Sequence, residues 1–186
     1  MRQSFFAIVV AASAAAAPAA TPVTISGFQS IALNGGGQVV VRHGPQQRVT
    51  LIAGTLKTSR LDVDHGGRLE ILTCVTSCSD YRLEVEIVTP GLDGVDIRGG
   101  GSIRTEGDFR DREDLALRVS GGGQIDATAI PAYSVAAAIR GGGQILTRAR
   151  ERLVARIDGG GVIGYRGEPR VTSGIRGGGS VRTIAN

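Results

Sequence analysis

The sequence predicts an all-β protein, a single-domain parallel β-helix or β-solenoid with a Gly-Gly-Gly triplet at a repeated bend. Three observations lead there. One seven-residue frame, with an aliphatic residue two places before the triplet and another two places after it, occurs six times: Leu33 to Val39, Ile97 to Ile103, Val119 to Ile125, Ile139 to Ile145, Ile157 to Ile163 and Ile175 to Val181. The last five triplets begin at Gly99, Gly121, Gly141, Gly159 and Gly177, with spacings of 22, 20, 18 and 18. A near-constant period of this size belongs to stacked rungs, each burying its apolar face against the next. Outside the frames, apolar and polar residues alternate as in half-buried strands, and no stretch carries a sustained helical period. Asp111 to Leu117 comes nearest to one and is short.

The chain opens with a basic start, Met1-Arg2-Gln3-Ser4, and an uncharged run from Phe5 to Ala17. Small residues follow at Ala17-Pro18-Ala19-Ala20. This order reads as a secretory signal over residues 1–20. The apolar run is shorter than the ~20 residues a helix needs to cross a bilayer. No cysteine stands near the cleavage region to carry a lipid, and no later segment is apolar enough to span. Cleavage removes one Arg and no acid, so the net charge falls from +4 to +3. The expected product is exported, periplasmic or at the cell surface, with residues 21–186 forming one β-helical domain.

Gln38 to Arg42 and Arg48 to Ala53 read as two strands joined hairpin-like through His43-Gly44-Pro45-Gln46-Gln47, a turn by its Gly-Pro pair. Leu61-Asp62-Val63 and Leu69 to Leu72 flank a second turn at His65-Gly66-Gly67. Arg82 to Val88 alternates Leu83, Val85 and Ile87 with charged residues until Pro90-Gly91 stops it. Residues Val95 to Ile184 are the regular repeats. Within them Val95, Ile97 and Ile103 share one phase with Leu117, Val119 and Ile125, so stacking yields internal aliphatic ladders.

Glycine within a strand costs conformational entropy, so three together six times over require a cause. The cause read here is a sharp bend, or a thin part of the coil where opposite walls approach. The middle residues Gly36, Gly100, Gly122, Gly142, Gly160 and Gly178 are taken as the structural glycines. A phosphate cradle is the rival, but no P-loop and no dinucleotide fingerprint before a helix is present, and no cofactor is expected. No repeat carries the calcium-binding G-G-x-G-x-D nonapeptide either.

Phe28-x-x-Ile31 leading into Leu33-Asn34-Gly35, the Leu69-Glu70-Ile71 strand, the Val85-x-Ile87-x-x-Pro90-x-Leu92 stretch and the later glycine repeats resemble the head GIN domain of putative auto-transporter adhesins. The likeness covers nearly the whole mature chain. It implies a β-helical domain on exported bacterial proteins and brings no catalytic residues with it. The chain ends at Asn186, five residues after the last frame, so no self-exporting translocator is expected.

Cys74 and Cys78 stand four apart between two strands. Extended, they would lie ~13 Å apart, beyond disulfide reach, so a bond requires a turn at Val75-Thr76-Ser77. Export favours that bond. A metal site is the alternative, but the only histidines are His43 and His65 and there is no second cysteine pair. Serines beside glycine, such as Ser102, Ser120 and Ser180, sit in repeat frames and form no nucleophile elbow. The acids Asp111, Glu113 and Asp114 read as a charged loop. A carbohydrate-active β-helical enzyme, a lyase or hydrolase, is the alternative function. Against it, sugar platforms are scarce: the repeats hold Phe109, Tyr133 and Tyr165, and the chain has no Trp.

The expected role is therefore a binding, adhesion-like or structural module with an envelope or glycan partner and no catalysis. Nucleic acid is excluded as partner by export and by arginines interleaved with acids. The residue before each of the last five triplets reads Arg98, Ser120, Arg140, Asp158, Arg176. Stacked in register, Asp158 falls between Arg140 and Arg176, and Arg104 falls beside Asp126. This set reads first as a charge ladder that fixes register, and second as a weak anion-binding stripe. The last rung, Arg176 to Thr183, has an open edge, which predicts weak self-association there.

Overall fold

The computed structural model describes residues 20–75, 78 and 82–185. The segment expected to be a secretory signal, apart from Ala20, and the Thr76-Ser77 centre lie outside these residues. Among the described residues the fold is all-β, without helices, and fifteen strands join in one sheet of mixed orientation. In chain order they are β1 (Thr21–Val23), β2 (Ser30–Asn34), β3 (Gln38–His43), β4 (Arg48–Ala53), β5 (Arg60–Val63), β6 (Arg68–Leu72), β7 (Glu84–Thr89) and β8 (Gly94–Gly99). They continue as β9 (Ser102–Glu106), β10 (Arg112–Gly121), β11 (Gln124–Gly141), β12 (Gln144–Gly159), β13 (Val162–Arg166), β14 (Arg170–Arg176) and β15 (Ser180–Thr183). The segment with the nearest helical pattern, Asp111 to Leu117, runs into β10 because Leu115 and Leu117 both point inward at strand spacing.

Each triplet divides the chain between two parallel rows. Strands leading into a triplet pair side by side in the order β6, β2, β8, β10, the second half of β11, the second half of β12, then β14. Strands leaving a triplet pair in the order β7, β3, β9, the first half of β11, the first half of β12, β13, then β15. The inward phase read from the sequence is the buried one. Ile97, Leu117, Ile145 and Ile163 are fully buried, and Val95, Val119, Ile125, Ile139 and Ile157 are at most 2% exposed. Burying an aliphatic side chain of this kind contributes about 1.5–3 kcal/mol. The same buried positions recur from strand to strand along both rows as far as β12 and β13.

Two topological expectations change. The strands β3 and β4 flank a turn but do not pair with each other. β7 lies between them, parallel to β3 through Gln38↔Glu84 and antiparallel to β4 through Arg48↔Val88. That arrangement sets the buried pairs Val39, Val41 and Val49, Leu51 against Val85 and Ile87. Alternation shows which face a side chain takes and leaves the neighbouring strand open. The second turn does form a hairpin, with Leu61↔Ile71 and Val63↔Leu69 in antiparallel register.

The stack also begins earlier than Val95. The first frame precedes the second by sixty-four residues, yet β2 lies beside β8 through Leu33↔Ile97, and β3 beside β9 through Val39↔Ile103. The intervening chain adds one rung without a triplet, from β6 to β7. Antiparallel β5, β4 and β1 then cover that end.

Candidate functional site

The triplets form a hydrogen-bonded seam. Gly122 N–H donates to Gly99 O (3.1 Å), Gly142 N–H to Gly121 O (3.1 Å), and Gly160 N–H to Gly141 O (3.0 Å). The demand for glycine falls on the first and third positions of each triplet. Gly141 has φ +117°, and a Cβ there would lie 2.6 Å from Gly121 O; one on Gly143 would lie 2.5 Å from Gly123 O and from Val119 Cγ1. The middle positions Gly36, Gly100, Gly122, Gly142, Gly160 and Gly178 have nothing within 4 Å of a built Cβ and no left-handed φ. The reading of the middle glycines as the constrained ones is therefore corrected. The bend points the middle residue outward, while the flanking two meet the carbonyls of the preceding rung.

Cys74 and Cys78 are bonded, with Cα atoms 6.2 Å apart. The bond closes the connection between β6 and β7, where the other rungs carry a triplet. Thr73 Oγ1, just before it, lies 2.5 Å from Gly36 O and 3.0 Å from Asn34 O, both within reach of its one hydroxyl hydrogen, which ties this connection onto the first triplet. In the hairpin turn, Asp64 accepts the amides of Arg68 and Gly66, and these bonds, the Arg68 amide foremost, hold its carboxyl below the usual carboxylate range. His43 is packed edge-on against Phe109, ring centroids 5.2 Å apart. Among the described residues no group of three or more His, Cys, Asp and Glu is placed to hold a metal ion.

Variable side chains occupy the outward phase. The position before the triplet runs in register as Asn34, Arg98, Ser120, Arg140, Asp158, Arg176. Register alone does not close the expected ladder. Asp158 makes no ion pair within 4.0 Å with Arg140 or Arg176 among the described residues. Arg104 lies in register with Asp126 but pairs with Glu106 at 2.6 Å. Asp126 turns instead to Thr128, accepting its amide at 3.1 Å and its hydroxyl at 2.6 Å. On the earlier rungs Arg42 bridges Glu86 and Glu106, and Arg98 reaches Asp96 at 3.7 Å.

Sequence reasoning missed a second outward column, two residues further from the triplet. There Asp96, Arg118, Ala138, Arg156 and Gly174 stand in register. From Arg118 onward this column, with the first column from Ser120 onward, lines an open groove of about 780 Å³ along the later rungs. The signal was available: the same repeat offset, moved two places, lists these residues. A second outward hollow, at the start of β10, gathers Asp93, Asp111, Arg112, Glu113 and Asp114. Of these acids, Asp93 is paired with Arg112 and Asp111 with Arg150.

A constant aliphatic interior, a glycine seam and variable outward columns define an all-β repeat protein whose individuality lies on its surface. The chain belongs to the family described as putative auto-transporter adhesin, head GIN domain, which matches residues 27–114 and 111–169. A putative adhesin from Bacteroides fragilis shares its fold at a TM-score of 0.52 and 18% identity, over 89% of this chain and 96% of that one. A putative adhesin from Parabacteroides distasonis is similar at a TM-score of 0.46 and 15% identity, over 89% and 96% of the two chains. A putative lipid binding protein from the same species follows at 0.38 and 16%, over 90% and 97%. No curated protein matches the chain. Among the described residues no helix is long and apolar enough to cross a membrane.

Proposed function

We propose that this chain is an exported module of the bacterial envelope or cell surface that binds a partner through its outer face and performs no catalysis. On this reading residues 1–20 are the signal that directs export. Residues 21–186 fold as a short parallel β-solenoid, with the two parallel rows as its walls and the antiparallel strands β1, β4 and β5 as its N-terminal cover. The observation that carries the reading is the division of labour along each rung. Most inward positions are aliphatic and buried, and the positions whose side chains differ from rung to rung face solvent. Membership of a family described as adhesin heads points the same way. A glycoside hydrolase would need two opposed carboxylates free to act as acid and base or nucleophile. In the acid-rich hollow at β10, Asp93 and Asp111 are instead held by arginines, and the other two acids, Glu113 and Asp114, are consecutive residues of one strand, so they do not face each other.

Fractionation of the producing cells with intact-mass analysis tests the proposal. The expected species starts between Pro18 and Pro22, lies in the envelope or medium, and retains a component of envelope extract when immobilised. A chain retaining Met1 in the cytosolic fraction, or a preparation that cleaves polysaccharide, would overturn it.

A further inference from the structure

We infer that the groove along the later triplet-leading strands is a binding site for a linear anionic polysaccharide. Its contact groups are Arg118, Arg140, Arg156 and Arg176. The inference rests on the surface-module reading and gives that module's partner a chemical class.

The four arginines come from four successive strands, β10, β11, β12 and β14, and alternate between the two outward columns. Arg118 and Arg156 occupy one column with Ala138 between them; Arg140 and Arg176 occupy the other with Asp158 between them. Rungs repeat at ~4.8 Å and outward residues along a strand at ~6.6 Å, so the guanidinium groups follow a zigzag running along the stack. No two of them are directly opposite, the arrangement in which like charges destabilise a sheet most. None of the four has an ion-pair partner among the described residues, and all four are exposed. Asp96, in register with Arg118, is engaged by Arg98. Among the described residues, Asp158 is the only acid lining the groove.

The shape selects among anionic partners. The positions between the arginines are small or short: Ser120, Ala138, Gly174 and Asp158. A narrow chain can lie on that floor while guanidinium forks reach its carboxylates or sulfates from both sides. An anionic membrane would be held best by large apolar side chains entering the interface beside the basic ones. No outward position among these eight carries one.

Retention on dextran sulfate and polygalacturonate, with neutral dextran as control, tests the site using the whole mature chain. Binding to a charged polymer is expected at low salt, with loss as salt rises and no binding to dextran. Arg140→Gln with Arg156→Gln should weaken it about five- to tenfold, with Tm unchanged. Arg60→Gln, which removes one charge from β5 outside the groove, should leave it as it was. Asp158→Ala should tighten binding about two- to fivefold by removing the one acid in the groove. Failure to bind either polymer, equal weakening by Arg60→Gln, or preference for phosphatidylglycerol vesicles over both polymers would overturn the inference. Those results leave the module reading standing if the chain is found in the envelope. A cytosolic chain removes that reading whatever the polymers do.

Discussion

Gly142 donates its amide hydrogen to the carbonyl of Gly121, 3.1 Å away, across neighbouring rungs. That same carbonyl lies 2.6 Å from where a side chain on Gly141 would begin. One oxygen thus joins the rungs and excludes a side chain from the first glycine. Gly141→Ala and Gly143→Ala should each cost several kcal/mol, since each puts a Cβ against backbone that cannot move without breaking the ladder. Gly142→Ala should be neutral or stabilising by up to about 1 kcal/mol, because it restricts the unfolded chain without strain in the folded one. Thermal melts of the three variants check this. A larger loss at Gly142 than at its neighbours would contradict the seam.

Of the buried threonines, Thr105 and Thr147 have different fates. Thr105 donates its hydroxyl to Asp126 O at 3.1 Å, whereas the buried Thr147 Oγ1 finds no partner among the described residues. A buried hydroxyl without a hydrogen bond costs roughly 1–3 kcal/mol. Thr147→Val should therefore raise Tm, and Thr105→Val should lower it. The same sign for both variants in calorimetry would refute the assignment.

Much of the interior was legible in the sequence, and the physical reason is the period of two. Once Ile97 and Ile103 are inward, Val119, Ile125, Ile139 and Ile145 must follow. Neighbour choice was not legible in the same way. Nothing in Arg48 to Ala53 says that its partner is β7 instead of β3, because both faces of that decision bury the same valines. The sixty-four-residue excursion hid the contact of Leu33 with Ile97 for a related reason: loop closure depends only weakly on length, so chain distance predicts contact poorly. The glycines illustrate a third limit. Three identical letters do not reveal which of them meets a carbonyl. For the charges, register was legible at Arg140, Asp158 and Arg176, but the reach of each side chain was not. The second column with Arg118 and Arg156 lay one offset away from the position that was read.

The Cys74–Cys78 bond closes a small loop, so its effect should be modest. Replacing both with Ser should lower stability by about 2 kcal/mol in the chain-entropy account. The parallel rows should survive, since the bond lies at a single connection. Chemical denaturation measures the loss, and thiol labelling of the native protein should find no free cysteine. Two reactive thiols, or complete unfolding of the double variant, would contradict this view.

Among the described residues, β14 pairs only with β12 and β15 only with β13, leaving one side of each strand without a neighbour. Ile175 and Val171, inward in phase, are 43% and 37% exposed there. Such an edge offers hydrogen-bonding groups and apolar surface to a second copy. Sedimentation should show weak, concentration-dependent association, reduced by Ile175→Lys. A strict monomer at high concentration would dismiss it, with Arg176 and Arg182 then acting as blocking charges.

The fold depends most on the triplets being stacked backbone and not loose turns. Amide hydrogen exchange measures this directly at Gly122, Gly142 and Gly160, which are solvent-exposed but donate to the carbonyls of the preceding rung. The account predicts protection at these three amides comparable to that of the buried strand residues Leu117 and Ile139, with release only on global unfolding. Exchange at the rate of an open loop, while Leu117 and Ile139 stay protected, would contradict the stacked seam on which the fold and its outer groove both rest.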